Sequence, residues 1–204
     1  MRKVFVLLCF CVSLVLAQSG RVYIVHGYGS DANYGWLPST ANTLKSFDYQ
    51  VILPSLPNSN APKLKEWLEF MKEHFVKLDK NTYFITHSLG GIAVLDFLNS
   101  LDKDVRIGGM IMVSPFDEPL KILPVLDEFV QVKLDYKKLS TIIKHIVVIS
   151  AKNDSVVPTT MSQNLAKKLN AEFIQTPTGG HFMESEGFRK LPLILKVFST
   201  INKD

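Results

Sequence analysis

Cysteine is almost absent from this sequence, and its absence excludes two kinds of protein. Only two of the 204 residues are cysteines, Cys9 and Cys11, and both lie close to the start of the chain. The remainder therefore holds neither a disulfide scaffold nor a thiol nucleophile. Any nucleophile in that remainder has to be a hydroxyl or another group.

Runs of like charge are also missing. The formal net charge is only +4, and lysine and arginine form no basic stretch, so nucleic acid is not an expected partner. No group of His, Asp and Glu has the spacing of metal ligands. The glycines of His26-Gly27-Tyr28-Gly29 do not make the pattern of a dinucleotide site. We therefore expect no metal and no other cofactor.

No apolar run is long enough to cross a membrane. The longest, residues 4–16, is interrupted only by Ser13, whereas a helix needs about 20 residues to span a bilayer. Arg2 and Lys3 precede this run, and a short positive segment followed by a short apolar one is typical of a signal peptide.

The residues after the apolar run indicate a cleavage site. Val15 and Ala17 put small side chains at the two positions that a signal peptidase reads. The pattern predicts a signal peptide over residues 1–17, an exported protein, and a single domain over residues 18–204 without a stable membrane span. The alternatives are a buried N-terminal strand and an uncleaved anchor.

Strand-like and helix-like segments alternate along the rest of the chain. This order predicts an α/β fold with a mostly parallel sheet and helices on both faces. Strands are predicted at residues 21–26, 49–53, 82–86, 107–114, 146–150 and 172–175. Helices are predicted at residues 89–101, 159–169 and 193–201, and another follows Asn60 as its cap, with Pro62 in its first turn. Residues 115–140 are less regular and are expected to form a minimal lid.

A serine follows the third predicted strand and precedes a helix. In His87-Ser88-Leu89-Gly90-Gly91 the strand–Ser–helix order is that of a nucleophile elbow, a turn so tight that the residues two before and two after the serine must be small. Gly90 fits this requirement, while Thr86 replaces the usual glycine. Ser88 is therefore the candidate nucleophile; the alternative is that it only caps the helix.

A candidate acid and base follow in the order that this fold requires. Asp154 comes just after the fifth predicted strand, and His181 lies in a loop after Gly179 and Gly180. The order Ser, Asp, His along the chain is that of the α/β hydrolases, so the fold is predicted to be of the α/β-hydrolase type. Asp154 is alternatively a turn-forming residue, and its rivals as the acid are Asp117 and Glu118.

The remaining histidines are less suitable as the base. His74 lies on a helix, His145 begins a strand, and the side chain of His87 is expected to point away from the site.

The oxyanion hole and the substrate pocket are harder to read from sequence. The backbone N–H groups of Tyr28, after the first strand, and of Leu89, after the nucleophile, are the candidate oxyanion donors. Aromatic and apolar residues near these loops are candidates for an acyl pocket, although each could equally be a core residue. These are Tyr28, Trp36, Phe116, Phe182 and Met183.

Several of these motifs together resemble a known family. They are Tyr23-Ile24-Val25-His26-Gly27-Tyr28-Gly29, Trp36, the elbow around Ser88, Asn153-Asp154 with Val157-Pro158, and Gly179-Gly180-His181-Phe182. The combination is similar to the YdeN-like serine hydrolases, which are grouped with the retinoblastoma-binding-protein-nine esterases. The resemblance covers nearly all of residues 18–204, and Asp154 and His181 fall on the family's acid and base positions. It implies a compact fold with little lid and a carboxyl-ester or related hydrolase activity.

The sequence leaves the reaction and the substrate open. We expect hydrolysis of an ester or amide through an acyl-enzyme, on short to medium uncharged acyl groups. The alternatives are acyl transfer on the same triad and a non-catalytic binding protein on a hydrolase scaffold. Asn153-Asp154-Ser155 is also a glycosylation sequon beside the candidate acid.

Overall fold

Six parallel strands form one sheet through the centre of the molecule, in the order β2-β1-β3-β4-β5-β6. The structure is a computed structural model that describes residues 19–203, so the predicted signal peptide lies outside the described residues. The strands are β1 (Gly20–Val25), β2 (Tyr49–Ile52), β3 (Thr82–His87), β4 (Ile107–Val113), β5 (Ile143–Ala151) and β6 (Glu172–Thr176). No helix among residues 19–203 is long and apolar enough to cross a membrane.

The two central strands are buried on both faces. Every residue of β3 and β4 is buried, which explains why these segments are near-continuous apolar runs and do not alternate. All six predicted strands are present, and their ends differ from the predictions by at most three residues. The predicted α/β architecture with a parallel sheet is confirmed.

Helices cover both faces of the sheet, as predicted. They are α1 (Leu37–Lys45), α2 (Leu64–His74), α3 (Leu89–Ser100), α4 (Asp127–Val130), α5 (Tyr136–Ile142), α6 (Thr159–Lys168) and α7 (Pro192–Ile201). One apolar cluster joins α2 to α6 with one face of the sheet, through side chains such as Trp67, Phe97 and Leu165. A second cluster joins α1 and α7 with the other face, through Leu44 and Phe198.

The start of α2 differs from the prediction. The helix begins at Leu64, and Lys63 before it is still extended, with φ −120° and ψ 126°, so Asn60 is not its cap and Pro62 lies outside it. Asn58 has a φ of 50° and its carbonyl closes a turn with the N–H of Ala61. That turn keeps the chain out of helical geometry until after Pro62. The first helical N–H, on Leu64, is instead accepted by Glu128 Oε1 at 2.8 Å.

The segment expected to be a lid lies partly against the body of the protein. It contains a 3₁₀ turn over Pro124–Leu126 followed by α4, and Leu126 and Phe129 are buried in the first apolar cluster. Ile122 and Val125 are 63% and 50% exposed. The segment is thus short and packed against the rest of the protein, with two apolar side chains exposed on its outer surface.

A groove at the amino edge of the sheet brings the two ends of the described chain together. Its volume is about 410 Å³, and its lining includes Ser19 and Lys203 as well as Phe47, Tyr49 and Phe198. Strands β1 and β2 begin at this edge, so the groove lies at the opposite edge from the strand ends that carry Ser88 and Asp154.

Candidate active site

Ser88 occupies a strained turn between β3 and α3. Its φ is 50° and its ψ is −123°, a sparsely populated conformation for a residue with a side chain. A Cβ on Gly90 would lie 2.4 Å from the carbonyl oxygen of His26 and 2.8 Å from that of Val25. Only glycine fits there, so the elbow geometry predicted from the sequence is confirmed.

The hydroxyl of Ser88 does not cap the helix that follows. Ser88 stands at the N-cap position of α3, yet its side chain makes no capping hydrogen bond. The residue is 7% exposed and lines a cavity at the carboxyl edge of the sheet. The capping interpretation therefore does not account for the serine.

Thr86, where the elbow pattern usually has glycine, lies beside the first turn of α3. Its hydroxyl oxygen would be in ordinary van der Waals contact, at 3.4 Å, with a Cβ placed on Gly91. Thr86 is fully buried, and its Oγ1 has no hydrogen-bond partner among the described residues. The position is thus tolerated sterically, with one unsatisfied hydroxyl.

Asp154 lies just beyond β5 with both carboxylate oxygens engaged. Oδ1 accepts the N–H groups of Val156 and Val157, both at 2.9 Å. Oδ2 accepts the hydroxyl of Ser114 and the Nδ1–H of His181, both at 2.8 Å. Burial alone would raise the pKa of Asp154, but the hydrogen bond and charge of His181, the N–H of Val157 and the hydroxyl of Ser114 lower this pKa below its ordinary value.

The rival acids serve another purpose. The carboxylate of Asp117 accepts the hydroxyl of Tyr136 at 2.6 Å and the ammonium of Lys168 at 2.7 Å. Glu118 lies 3.5 Å from the same ammonium. These contacts tie the chain after β4 to α5 and α6. Among the acids considered from the sequence, Asp154 is thus the one bonded to His181.

The bond to Asp154 determines which nitrogen of His181 is free. Because Nδ1 donates to the carboxylate, the neutral ring has its lone pair on Nε2. His181 is 4% exposed and lines the same cavity as Ser88. The structure therefore brings together Ser88, His181 and Asp154 at one edge of the sheet, in an arrangement suited to activating a hydroxyl.

The expectation for His87 is wrong. Its side chain does not point away from the site: the ring lies 5.0 Å from the ring of His181, centroid to centroid, and Nε2 donates to the carbonyl oxygen of His181 at 2.8 Å. Strand β3 extends to His87, and alternation along it turns this side chain to the face that carries Trp36. Burial, followed by the neighbouring charge of His181, lowers the pKa of His87 to about 3.

The loop after β1 is fixed by a buried histidine. His26 Nε2 accepts the N–H of Leu56 at 2.8 Å, so Nδ1 carries the proton and donates to the carbonyl of Gly27, also at 2.8 Å. Burial lowers the pKa of His26, which keeps this tautomer neutral. The loop holds Tyr28 beside Ser88 in the cavity wall, and the N–H of Leu89 belongs to the first turn of α3, where such groups have no intrahelical partner.

The cavity around Ser88 is small and differs from the predicted pocket. Its volume is about 250 Å³, below the usual range for ligand sites. Of the predicted lining residues, Tyr28 and Met183 face it, whereas Trp36, Phe116 and Phe182 are buried in the two apolar clusters. The prediction is wrong for these three because large aromatic rings beside the sheet fill its core.

Other side chains complete the cavity wall. Apolar contacts come from Ile122 and Leu123 of the lid segment and from Val156, and a phenol comes from Tyr34. No carboxylate, lysine or arginine of residues 19–203 lines it. Within the same residues no group of three or more His, Cys, Asp and Glu could hold a metal ion.

Ser114 is a site residue that the sequence pattern did not identify. It is fully buried after β4, with a φ of 49°, and its hydroxyl donates to Asp154. The pairing of β4 with β5 brings the two residues together. A serine after a strand is too common in sequences to be recognised as such a partner.

Known proteins share this sequence pattern over almost the whole described chain. A family model described as serine hydrolase matches residues 22–200. The putative hydrolase YdeN of Bacillus subtilis is 37% identical over 180 residues, which is 88% of this chain and 95% of that protein. The serine hydrolase RBBP9 of Rattus norvegicus is 24% identical over 193 residues, 92% of this chain and 94% of that protein.

Solved structures share the fold as well. The crystal structure of the ydeN gene product of B. subtilis has a TM-score of 0.88 and 36% identity, and covers 91% of this chain and 100% of that one. A YdeN-like hydrolase from Pectobacterium atrosepticum has a TM-score of 0.65 at 18% identity, over 91% of this chain and 92% of that one. The fold predicted from the sequence is confirmed by these similarities.

Proposed function

This chain belongs to the serine hydrolase family, and from that premise we propose that it cleaves a carboxyl ester or a related acyl bond through an acyl-enzyme on Ser88. The observation that carries the proposal is the 2.8 Å bond from His181 Nδ1 to Asp154, beside a serine in a strained turn that lines the same cavity. The match to the serine hydrolase family model and to YdeN confirms the family resemblance noted in the sequence, and the hydrolase class with it.

In the proposed first step the hydroxyl of Ser88 attacks the acyl carbon. His181 Nε2 takes the hydroxyl proton as the new C–O bond forms, and then delivers that proton to the leaving alcohol or amine as the old bond breaks. Asp154 keeps the imidazole in the required tautomer and stabilises its cation. The four hydrogen bonds on Asp154 hold the carboxylate in place while it does so.

Two backbone N–H groups are the proposed donors to the oxyanion. Tyr28 lies on the loop fixed by His26, and Leu89 begins α3. Each such donor typically contributes about 3 kcal/mol to stabilisation of the tetrahedral intermediate. In the second half of the reaction His181 activates a water that hydrolyses the acyl-enzyme, and Ser88 recovers its proton.

The cavity favours short to medium uncharged acyl groups. A volume of about 250 Å³ leaves little room for a long chain. The wall formed by Ile122, Leu123 and Val156 is apolar, and no carboxylate, lysine or arginine among residues 19–203 lines the cavity to pair with a charged substrate. Activity that rises steadily along a series of p-nitrophenyl esters from acetate to palmitate would contradict this size limit.

The proposal is tested by labelling with a fluorophosphonate probe and by hydrolysis of a panel of activated esters and amides. Wild-type protein should be labelled and should hydrolyse at least one ester, and Ser88→Ala should lose both properties. Ser100→Ala is the matched control, since the Ser100 hydroxyl bonds to the Phe97 carbonyl at the far end of α3 and should leave both unchanged.

Other outcomes identify the alternatives. Folded wild-type protein that neither labels nor hydrolyses any ester or amide would indicate a binding protein. An acyl product on an added alcohol or amine, in place of the free acid, would indicate a transferase.

A further inference from the structure

The main chain of His181 is held by side chains from two other segments. Its N–H donates to Glu186 Oε1 at 3.2 Å, and its carbonyl oxygen accepts the Nε2–H of His87 at 2.8 Å. His181 lies in neither a helix nor a strand, so the hydrogen bonds of regular secondary structure do not hold its backbone. The position of its imidazole therefore depends on these two contacts as well as on Asp154.

The loop around His181 is strained and needs such support. Gly180 and Phe182 both have a φ of 55°, a conformation that is unfavourable for a residue with a side chain such as Phe182. Glu186 stabilises this turn twice, because its Oε2 also accepts the N–H of Met183 at 2.9 Å. A Cβ on Gly180 would coincide with the carboxylate of Glu186, so the carboxylate fills the space that the missing side chain leaves.

His87 is suited to hold the carbonyl group of His181. Its ring is buried between Trp36 and His181, and its low pKa keeps it neutral. A carbonyl oxygen only accepts, so the His87 proton resides on Nε2. A neutral donor holds the His181 carbonyl without placing a second positive charge beside the imidazolium that forms during catalysis.

We propose that His87 and Glu186 are positioning residues that set the orientation of the His181 imidazole toward Ser88. Neither is proposed to touch the substrate; both act through the backbone of His181. The inference rests on the proposed role of His181 as the base. A displacement of about 1 Å in a catalytic group can lower a rate by about 100-fold, so loss of either contact should lower kcat while KM stays nearly constant.

The first test removes Glu186, whose side chain is exposed and outside the apolar core. Glu186→Ala should lower kcat for p-nitrophenyl butyrate by about 10-fold or more, with KM within about twofold. Glu172→Ala is the matched control, since Glu172 is an exposed carboxylate at the amino end of β6, and it should have wild-type kinetics. An unchanged kcat in Glu186→Ala, or an equal loss in Glu172→Ala, would overturn the role of Glu186.

The second test separates the hydrogen bond of His87 from its bulk. His87→Leu keeps the volume and removes the donor, whereas His87→Gln keeps a donor at a similar position. The value of kcat should fall in His87→Leu and should stay close to that of the wild type in His87→Gln. Equal losses of kcat in the two variants would mean that the hydrogen bond to the His181 carbonyl does not orient the imidazole.

A spectroscopic measurement is independent of turnover. The Nδ1–H proton of His181, bonded to Asp154, should give a slowly exchanging NMR resonance in the wild type, in Glu172→Ala and in His87→Gln. It should exchange faster in Glu186→Ala and His87→Leu if the imidazole has become mobile. If the exchange rate is unchanged in Glu186→Ala and His87→Leu while Ser88→Ala is inactive, the positioning role alone is wrong. If Ser88→Ala is active, the proposed function is wrong.

Discussion

At the scale of single residues, Asp154 is the group whose contacts are most completely specified. Its two oxygens receive four donors, and one of these is His181. Replacing Asp154 with Asn keeps the shape and removes the charge. The amide N–H₂ would face the donors that the carboxylate now accepts, and the imidazole would then carry its proton on Nε2, where it cannot accept one from Ser88.

Asp154→Asn is therefore expected to lower kcat by about 10³- to 10⁴-fold. The measurement is hydrolysis of p-nitrophenyl butyrate at pH 7, compared with Asp117→Asn. Asp117 is also a buried carboxylate, but its partners are Tyr136 and Lys168. A larger loss of kcat in Asp117→Asn than in Asp154→Asn would assign the acid to Asp117.

His87 should make the folded state sensitive to acid. Its pKa is about 3 in the folded protein against an ordinary value of 6.5, so between these pH values the unfolded chain binds a proton that the folded protein does not. The free energy of unfolding should thus fall as pH drops from 6.5 toward 3, by up to about 1.4 kcal/mol per pH unit from this group. Above pH 6.5 this contribution is fully present.

The check is urea unfolding at several pH values for the wild type and His87→Gln. The variant should lose stability less steeply below pH 6.5, while part of the slope remains because the pKa of His26 is lowered as well. Parallel slopes in the two proteins would mean that His87 is protonated in the folded state at a more ordinary pH.

Residues whose role is set by local sequence were the ones that could be predicted. Ser88 has a strand before it and glycines after it, and His181 follows two glycines, so their places at the sheet edge follow from short motifs. Ser114 and Glu186 act through hydrogen bonds that depend on strand pairing and on a left-handed turn. No pattern in one sequence specifies such geometry, and the aromatic residues near the site could not be assigned to cavity or core for the same reason.

At the scale of elements, the strands and the helices α3, α6 and α7 were predictable, whereas α1 and the start of α2 were not. A β-branched apolar run such as β5 has few other places to lie than a buried sheet. Helix α1 was not predicted, because its centre is rich in serine, threonine and asparagine, which are weak helix formers. The start of α2 depends on Glu128, 64 residues away in the chain.

Glu128 and Asn60 make a matched pair for testing that start. Glu128→Ala removes the acceptor of the Leu64 N–H and should lower the free energy of unfolding by about 1 kcal/mol. Asn60→Ala, at the cap position expected from the sequence, should change it by much less. The measurement is chemical denaturation of the wild type and the two variants. A larger loss of unfolding free energy in Asn60→Ala than in Glu128→Ala would mean that Asn60 caps α2, as predicted from the sequence.

At the scale of the whole molecule, one sheet with apolar clusters on both faces holds Ser88, Asp154 and His181 at the carboxyl ends of its strands. Ser88, Asp154 and His181 follow three different strands, so the site requires the sheet to be complete. The predicted signal peptide lies beyond the described residues, and export remains a prediction of the sequence.

N-terminal sequencing tests export directly. Protein recovered from the exported fraction of an expressing cell should begin at Gln18. A chain that still begins at Met1, and remains inside the cell, would contradict both the cleavage site and the export of the protein.

The groove that Ser19 and Lys203 share at the far edge of the sheet has a practical consequence. Since those two residues line one groove, a flexible linker across it can join them, and new termini can be opened at the exposed turn of Lys103 and Asp104. Such a circular permutant should retain whatever hydrolase turnover the wild type has. The same edge can carry a fused tag or a surface attachment while the opposite rim stays open to substrate.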